Sequence, residues 1–188
     1  MDIDEFWQLI DAARAAARPG TPFDRALVEL LAARPEAEIL AYEACFDRLH
    51  GDLYRWDVWA AAYLIGGGCS DDSFMDFRAG VIAEGRGWYE QVLAAPDALA
   101  GHPLAVGEDP EEAEELFYEE VNYTAAEAFG LRTGDEDRFH EEYRRHRAEH
   151  GIDGTPPADE DMGEDFDFDD DAEMHRRLPR LAAIYLTD

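Results

Sequence analysis

From Ile3 to His150 the chain repeats one pattern: apolar residues return every three or four positions, and Gly or Pro closes most runs. That period stacks side chains on one face of a helix, whereas a half-buried strand needs strict alternation. Ile3, Phe6, Ile10 and Ala13 predict a helix over about residues 3–17, ended by "RPGTP". Thr21 and Pro22 suit the cap and first turn of a second helix, with Phe23, Leu27, Leu30 and Leu31 inward. Pro35 opens a third with Ile39, Tyr42, Phe46 and Leu49, which Gly51 can end. A fourth, about 52–65, carries Leu53, Trp56, Trp59, Ala60, Tyr63 and Leu64 and leaves little polar face, as expected of a central helix. A fifth, about 71–84, has Phe74, Phe77, Val81 and Ile82 on one side, and a further turn or two reach Pro96. Asp109 and Pro110 are expected to start a long helix with Phe117, Val121, Ala125 and Ala128 inward and its end at Gly130. A peripheral helix follows over about 135–150, on Phe139 and Tyr143.

The pattern stops after Gly151. Ten of the fifteen residues from Asp159 to Glu173 are acidic, a composition that cannot form a core of its own. Helical spacing returns in "MHRRLPRLAAIYL", where Leu178, Leu181, Ile184 and Tyr185 can dock. The reading is an all-α protein: a single helical bundle of about eight helices over residues 1–151, an acidic flexible linker over 152–173, and a C-terminal helix over 174–188 packed on the domain. No internal repeat and no strand emerges.

Charge excludes several functions. With 45 Asp and Glu against 16 basic residues the net charge is -29, which repels nucleic-acid phosphate and anionic membrane. No basic patch offsets it, because even "EEYRRHRAEH" interleaves carboxylates. Every basic residue is Arg, so a catalytic lysine, a Schiff base and a phosphate-loop lysine are all excluded. Cys45 and Cys69 lack the spacing of a zinc site and are too few for a disulfide framework. The start, "MDIDEFWQLIDAARAAARPG", lacks the basic region and apolar run of a signal peptide, and "VWAAAYLIGGG" is far short of a membrane span. A cytoplasmic location with reduced thiols is the expectation.

One stretch concentrates reactive residue types: "GGGCSDDSFMDFR", residues 66–78. As a phosphate loop it has the glycines, but Asp71 and Asp72 stand where the anion would sit. As a thiol site, Cys69 precedes a helix start that lowers its pKa and two carboxylates that raise it, and burial as a small residue is favoured. As a metal site, "DDSFMD" resembles the aspartate-rich magnesium motif of helical terpene synthases over six residues, without that family's second motif. As structure, the glycines end one helix, Ser70 caps the next, Asp71 and Asp72 favour its first turn, and Arg78 reaches Asp71 or another carboxylate as a partly buried pair. Two other patterns are weaker. His146, Glu149 and His150 match the HxxEH pattern of some zinc peptidases without an obvious third ligand. Asp165, Asp167 and Asp169 have calcium-loop spacing, but Asp170 and Arg176 stand where the loop needs Gly and Glu.

"FWQLIDAAR" at the start and "GGCSDDSFMDFRAGVIAEGRGWYE" in the middle together resemble the bacterial family of domain of unknown function 4240, over about residues 1–130. Gly80 departs from the resemblance, since relatives tend to carry an aromatic there. The family has no established activity, so the resemblance implies a group of residues rather than a reaction: Cys69, Ser70, Asp71, Asp72, Asp76, Arg78, Gly85 and Arg86, as a ligand or partner site or as a structural ion pair.

Three functional expectations remain. The first is a non-enzymatic interaction or regulatory domain whose acidic surface binds a basic protein partner, with toxin neutralisation as one version. The second is a small metal- or ligand-dependent enzyme using Asp71, Asp72, Asp76 and Arg78. The third is a structural subunit of a larger assembly. No catalytic residue, metal ligand or cofactor is assigned, and neither nucleic acid nor membrane is expected as a partner.

Overall fold

The computed structural model describes residues 1–107, 113–152 and 162–186. Among them are ten α-helices of seven or more residues and no strand, so the protein is all-α. The chain divides into two compact units: residues 1–51 with 120–158, and residues 52–119 with 159–188.

In the first unit, α1 (Ile3–Ala16) begins with a capping box. The Glu5 N–H donates to Asp2 Oδ1 at 2.8 Å and the Asp2 N–H to Glu5 Oε2 at 3.0 Å, satisfying two donors that a helix start otherwise leaves open. Phe6, Ile10 and Ala13 are buried as their spacing predicts. At α2 (Phe23–Ala32) the expected Thr21 cap is not formed: Pro22 holds the cap position without a side-chain bond, because the backbone of Thr21 is paired with Arg18. α3 (Glu36–Asp52) runs through Gly51 and buries Ile39, Tyr42, Phe46 and Leu49. The Tyr42 ring stacks on Phe6 at 4.9 Å between centroids. α7 (Thr124–Thr133) packs on α2, and α8 (Phe139–His150) adds Phe139 and Tyr143 to this core.

The second unit holds α4 (Trp56–Gly66), α5 (Asp71–Ala83), α6 (Arg86–Ala94) and a 3-10 turn, Pro96–Gly101. It also holds α9 (Asp171–Arg177) and α10 (Pro179–Tyr185). Ala60, Ala61 and Ala62 are fully buried on α4, and their small side chains let α10 and the 3-10 turn approach closely. The C-terminal segment is two helices, because Pro179 has no N–H to continue the first and starts the second. Asp97 fastens that start: its carboxylate accepts the N–H groups of Arg180 at 3.0 Å and Leu181 at 2.9 Å.

The long helix expected from Asp109 to Gly130 is corrected. Its start lies outside the described residues, and residues 119–123 form a 3-10 turn. α7 begins only at Thr124, passes Gly130 and ends at Gly134, whose φ of +79° suits glycine. The reason is a close backbone contact: the Tyr118 N–H donates to the Asp76 carbonyl at 3.1 Å, and a Cβ on Gly80 would stand 1.9 Å from the Leu116 carbonyl oxygen. Leu116 therefore lies flat on α5. No helix among the described residues is long and apolar enough to cross a membrane.

Candidate functional site

The stretch 66–78 builds a helix stop and a helix start. Gly67, at φ +62°, closes α4, and Ser70 caps α5 by accepting the Ser73 N–H at 3.2 Å. Asp71 and Asp72 are exposed in the first turn, where the helix dipole favours carboxylates. Two turns on, Arg78 is buried. Its Nε donates to the Phe74 carbonyl at 3.3 Å, and its guanidinium lies over the rings of Tyr54 at 4.8 Å and Phe74 at 4.9 Å. Aromatic faces replace part of the water that a cation loses on burial. Burial still lowers Arg78 to about 10, which leaves it charged at neutral pH.

Cys69 sits at the edge of this aromatic wall. Trp59 stacks on Phe74 at 4.7 Å and donates its indole N–H to the Cys69 carbonyl at 3.0 Å. The Cys69 thiol is pushed up to about 12, by burial first and by Asp76 and Asp71 after it, against the opposing effects of Trp59 and Arg78. A thiol held that high stays protonated at neutral pH and is a poor nucleophile. Asp76 gives its carbonyl to Tyr118. Arg86 lies apart, exposed at the start of α6 beyond buried Gly85, and pairs with Glu90 at 2.6 Å. The structure thus brings Asp71, Asp76 and Arg78 within electrostatic reach of Cys69, leaves Asp71 and Asp72 exposed, and puts Arg86 on another helix.

The model of the family described as "Protein of unknown function (DUF4240)" matches residues 1–130. The chain belongs to this family. The matched span contains α1 to α6 and the whole Cys69–Arg86 group; α8 to α10 lie beyond it. Within the span matched to DUF4240, Gly80 is required by the Leu116 backbone. No curated protein and no solved structure matches the chain.

The sequence places Trp56, Trp59, Tyr63 and Phe74 on helix faces but gives none of them, nor Tyr54, a part in the site. Tyr54 and Phe74 wall Arg78, with Trp59 stacked on Phe74, and Trp56, Trp59 and Tyr63 form a partly buried stripe on α4, whose remaining residues are mostly buried. The spacing of Trp56, Trp59 and Tyr63 is itself a one-sided helical stripe, and it was the available signal. Residues 153–161 of the expected acidic linker lie outside the described residues; 162–170 run without helix along that stripe. Phe168 meets Tyr63 at 5.4 Å and Trp56 at 6.0 Å.

His146 and His150 stack at 4.1 Å between ring centroids, and the His150 Nδ1 lies 2.8 Å from the His146 carbonyl oxygen. Among the described residues no group of three or more His, Cys, Asp or Glu could hold a metal ion. In the first unit Glu43 is pushed up to about 8, by burial first and then by Asp47, which accepts the Tyr143 hydroxyl at 2.7 Å.

Proposed function

We propose that this chain is a non-enzymatic interaction or regulatory domain of the cytoplasm whose acidic surface binds a basic protein partner. The observation that carries this reading is the net charge of -29. Its carboxylates stand on solvent-facing turns: Asp2, Asp4, Glu5 and Asp11 on and beside α1, and Asp135, Glu136 and Asp137 before α8, are all exposed. Much of the Arg complement is engaged locally, as in Arg86 with Glu90, Arg138 with Glu142 and Arg176 with Glu173. The residual field is therefore negative over much of the surface. Such a field steers a cationic partner and weakens as salt rises. Neutralisation of a basic toxin is one form this activity would take.

The test is capture from a lysate of the source cells at low and high salt, using wild type and a variant with Asp4, Glu5 and Asp11 changed to Asn or Gln. The expected result is a basic protein retained at low salt, released at high salt, and retained less by the variant. Recovery of no salt-sensitive partner would overturn the reading.

A further inference from the structure

The end of α8 carries two histidines one helical turn apart, and the function proposed above uses neither. His146 and His150 stand at positions i and i+4, the spacing that places two side chains side by side on one face of a helix. Their rings lie 4.1 Å apart between centroids and 29° from parallel. His146 is partly buried and His150 is exposed, so an ion from solvent can reach the pair.

The tautomer of neutral His150 is fixed by its neighbour. Its Nδ1 lies 2.8 Å from the His146 carbonyl oxygen, which can only accept, so Nδ1 carries the proton and Nε2 the lone pair. Metal-bound histidines adopt this arrangement, one ring nitrogen donating to a carbonyl while the other faces the ion. His146 is held below the usual histidine range, by partial burial first and then by His150 and the N-terminal amino group, against Glu149. Its ring is therefore neutral, and able to ligate, at neutral pH. α8 ends at Gly151, so the pair stands where the helix dipole favours a cation, on a protein of net charge -29. Arg147, between the two in sequence, lies over the Tyr143 ring at 5.6 Å.

The donors decide the kind of ion. Without a third His, Cys, Asp or Glu among the described residues, two imidazoles do not make a closed zinc site. They make a two-point chelate whose other positions belong to water. Imidazole nitrogen selects Cu²⁺, Ni²⁺ and Zn²⁺ over Mg²⁺ and Ca²⁺, which take oxygen ligands, and Cu²⁺ heads the order of affinity. We propose that His146 and His150 form a surface chelate for a divalent transition-metal ion, Cu²⁺ most tightly, which staples the last turn of α8. The site is independent of the acidic-surface reading, and either can fail without the other.

The experiment titrates Cu²⁺ and, separately, Zn²⁺ into the full-length chain without a purification tag, by calorimetry, in an excess of Mg²⁺ that occupies exposed carboxylates. The expected result is one Cu²⁺ site at least tenfold tighter than the Zn²⁺ site. His146→Ala and His150→Ala should each weaken it at least tenfold, and His140→Ala, exposed on the same helix outside the pair, should leave it unchanged. Electron paramagnetic resonance of the one-to-one Cu²⁺ complex should show two coordinating imidazole nitrogens. Cu²⁺ should also raise the urea midpoint of wild type more than that of either variant, because the folded helix, and not the unfolded chain, holds the two rings together. Circular dichroism checks that the variants fold, and His150→Ala, at the exposed position, carries the test if His146→Ala does not. Cu²⁺ affinity unchanged in the variants, a spectrum with one nitrogen, or an equal loss in His140→Ala would overturn the proposal. Binding abolished by Mg²⁺ would assign the ion to carboxylates and overturn it as well.

Discussion

Two stretches of this chain mix aspartate with phenylalanine, and they end in opposite structures. "DDSFMDF", from Asp71, starts a helix; "DFDFDDD", from Asp165, runs without helix against one and turns at Asp167–Asp170 before α9 begins. The second carries five carboxylates, all exposed, against three in the first, of which Asp76 is partly buried. The spacing of the rings separates them as well. Phe74 and Phe77 are three apart and continue to Val81, which places all three on the buried face of α5, with Ser70 in place to cap it. Phe166 and Phe168 are two apart, a spacing that does not share one face of a helix. Apolar period therefore agrees with the backbone in both stretches, and the more acidic one is the one without helix.

The largest way to break the α5 side of this comparison is Gly80→Ala. In a helix with free space the change would stabilise by up to about 1 kcal/mol. Here the new Cβ meets the Leu116 carbonyl oxygen, so a loss of roughly 3 kcal/mol is expected in urea denaturation. An unchanged or raised midpoint would mean that Leu116 does not lie flat on α5.

The 165–171 side is tested by Phe168→Ala. Removing a half-buried ring from an aromatic cluster should cost about 1.5 kcal/mol, with helical circular dichroism nearly unchanged and tryptophan emission shifted to the red as Trp56 and Trp59 gain water. A large loss of helical signal would show instead that this segment supports α4 itself.

Glu43 is a control carboxylate outside both stretches. It is held at about 8 against an ordinary 4.5, so the native protein keeps a proton that the unfolded chain releases. Its penalty is absent below about pH 4.5, grows as pH rises toward 8 and is complete above it. Glu43→Gln should therefore raise stability at pH 8.5 by on the order of 1 kcal/mol and change it little at pH 4, read by urea denaturation at the two values.

The smallest effect separates a cap from a site. Ser70→Ala should cost about 0.5 to 1 kcal/mol through loss of the bond to the Ser73 N–H, and Ser70→Asp should restore most of it. Failure of aspartate to rescue would argue that the hydroxyl does something other than cap α5.

Much of this architecture was legible beforehand because it is local. The buried positions of α1, α3 and α5 follow from spacing within one or two turns, and the Ser70 cap and Gly67 stop follow from residue type. The family was legible from "FWQLIDAAR" with the central motif. Arg78 illustrates the limit. Tyr54, which stands over its guanidinium, lies before α4 and is not placed by any local pattern. The break of the expected helix near residue 118 is similar, since its cause is the Gly80 surface of another helix.

The sequence by itself determined that the protein is all-α, where most helices start and stop, and that its surface is strongly acidic, because capping, period and charge act within a few residues or depend on composition alone. Only the tertiary structure decided that Arg78 is walled by aromatic rings, that Leu116 presses on Gly80, and that an acidic segment lies along Trp56, Trp59 and Tyr63. Those outcomes depend on packing between residues tens of positions apart, where side-chain shape and the exclusion of water act and sequence spacing carries no information.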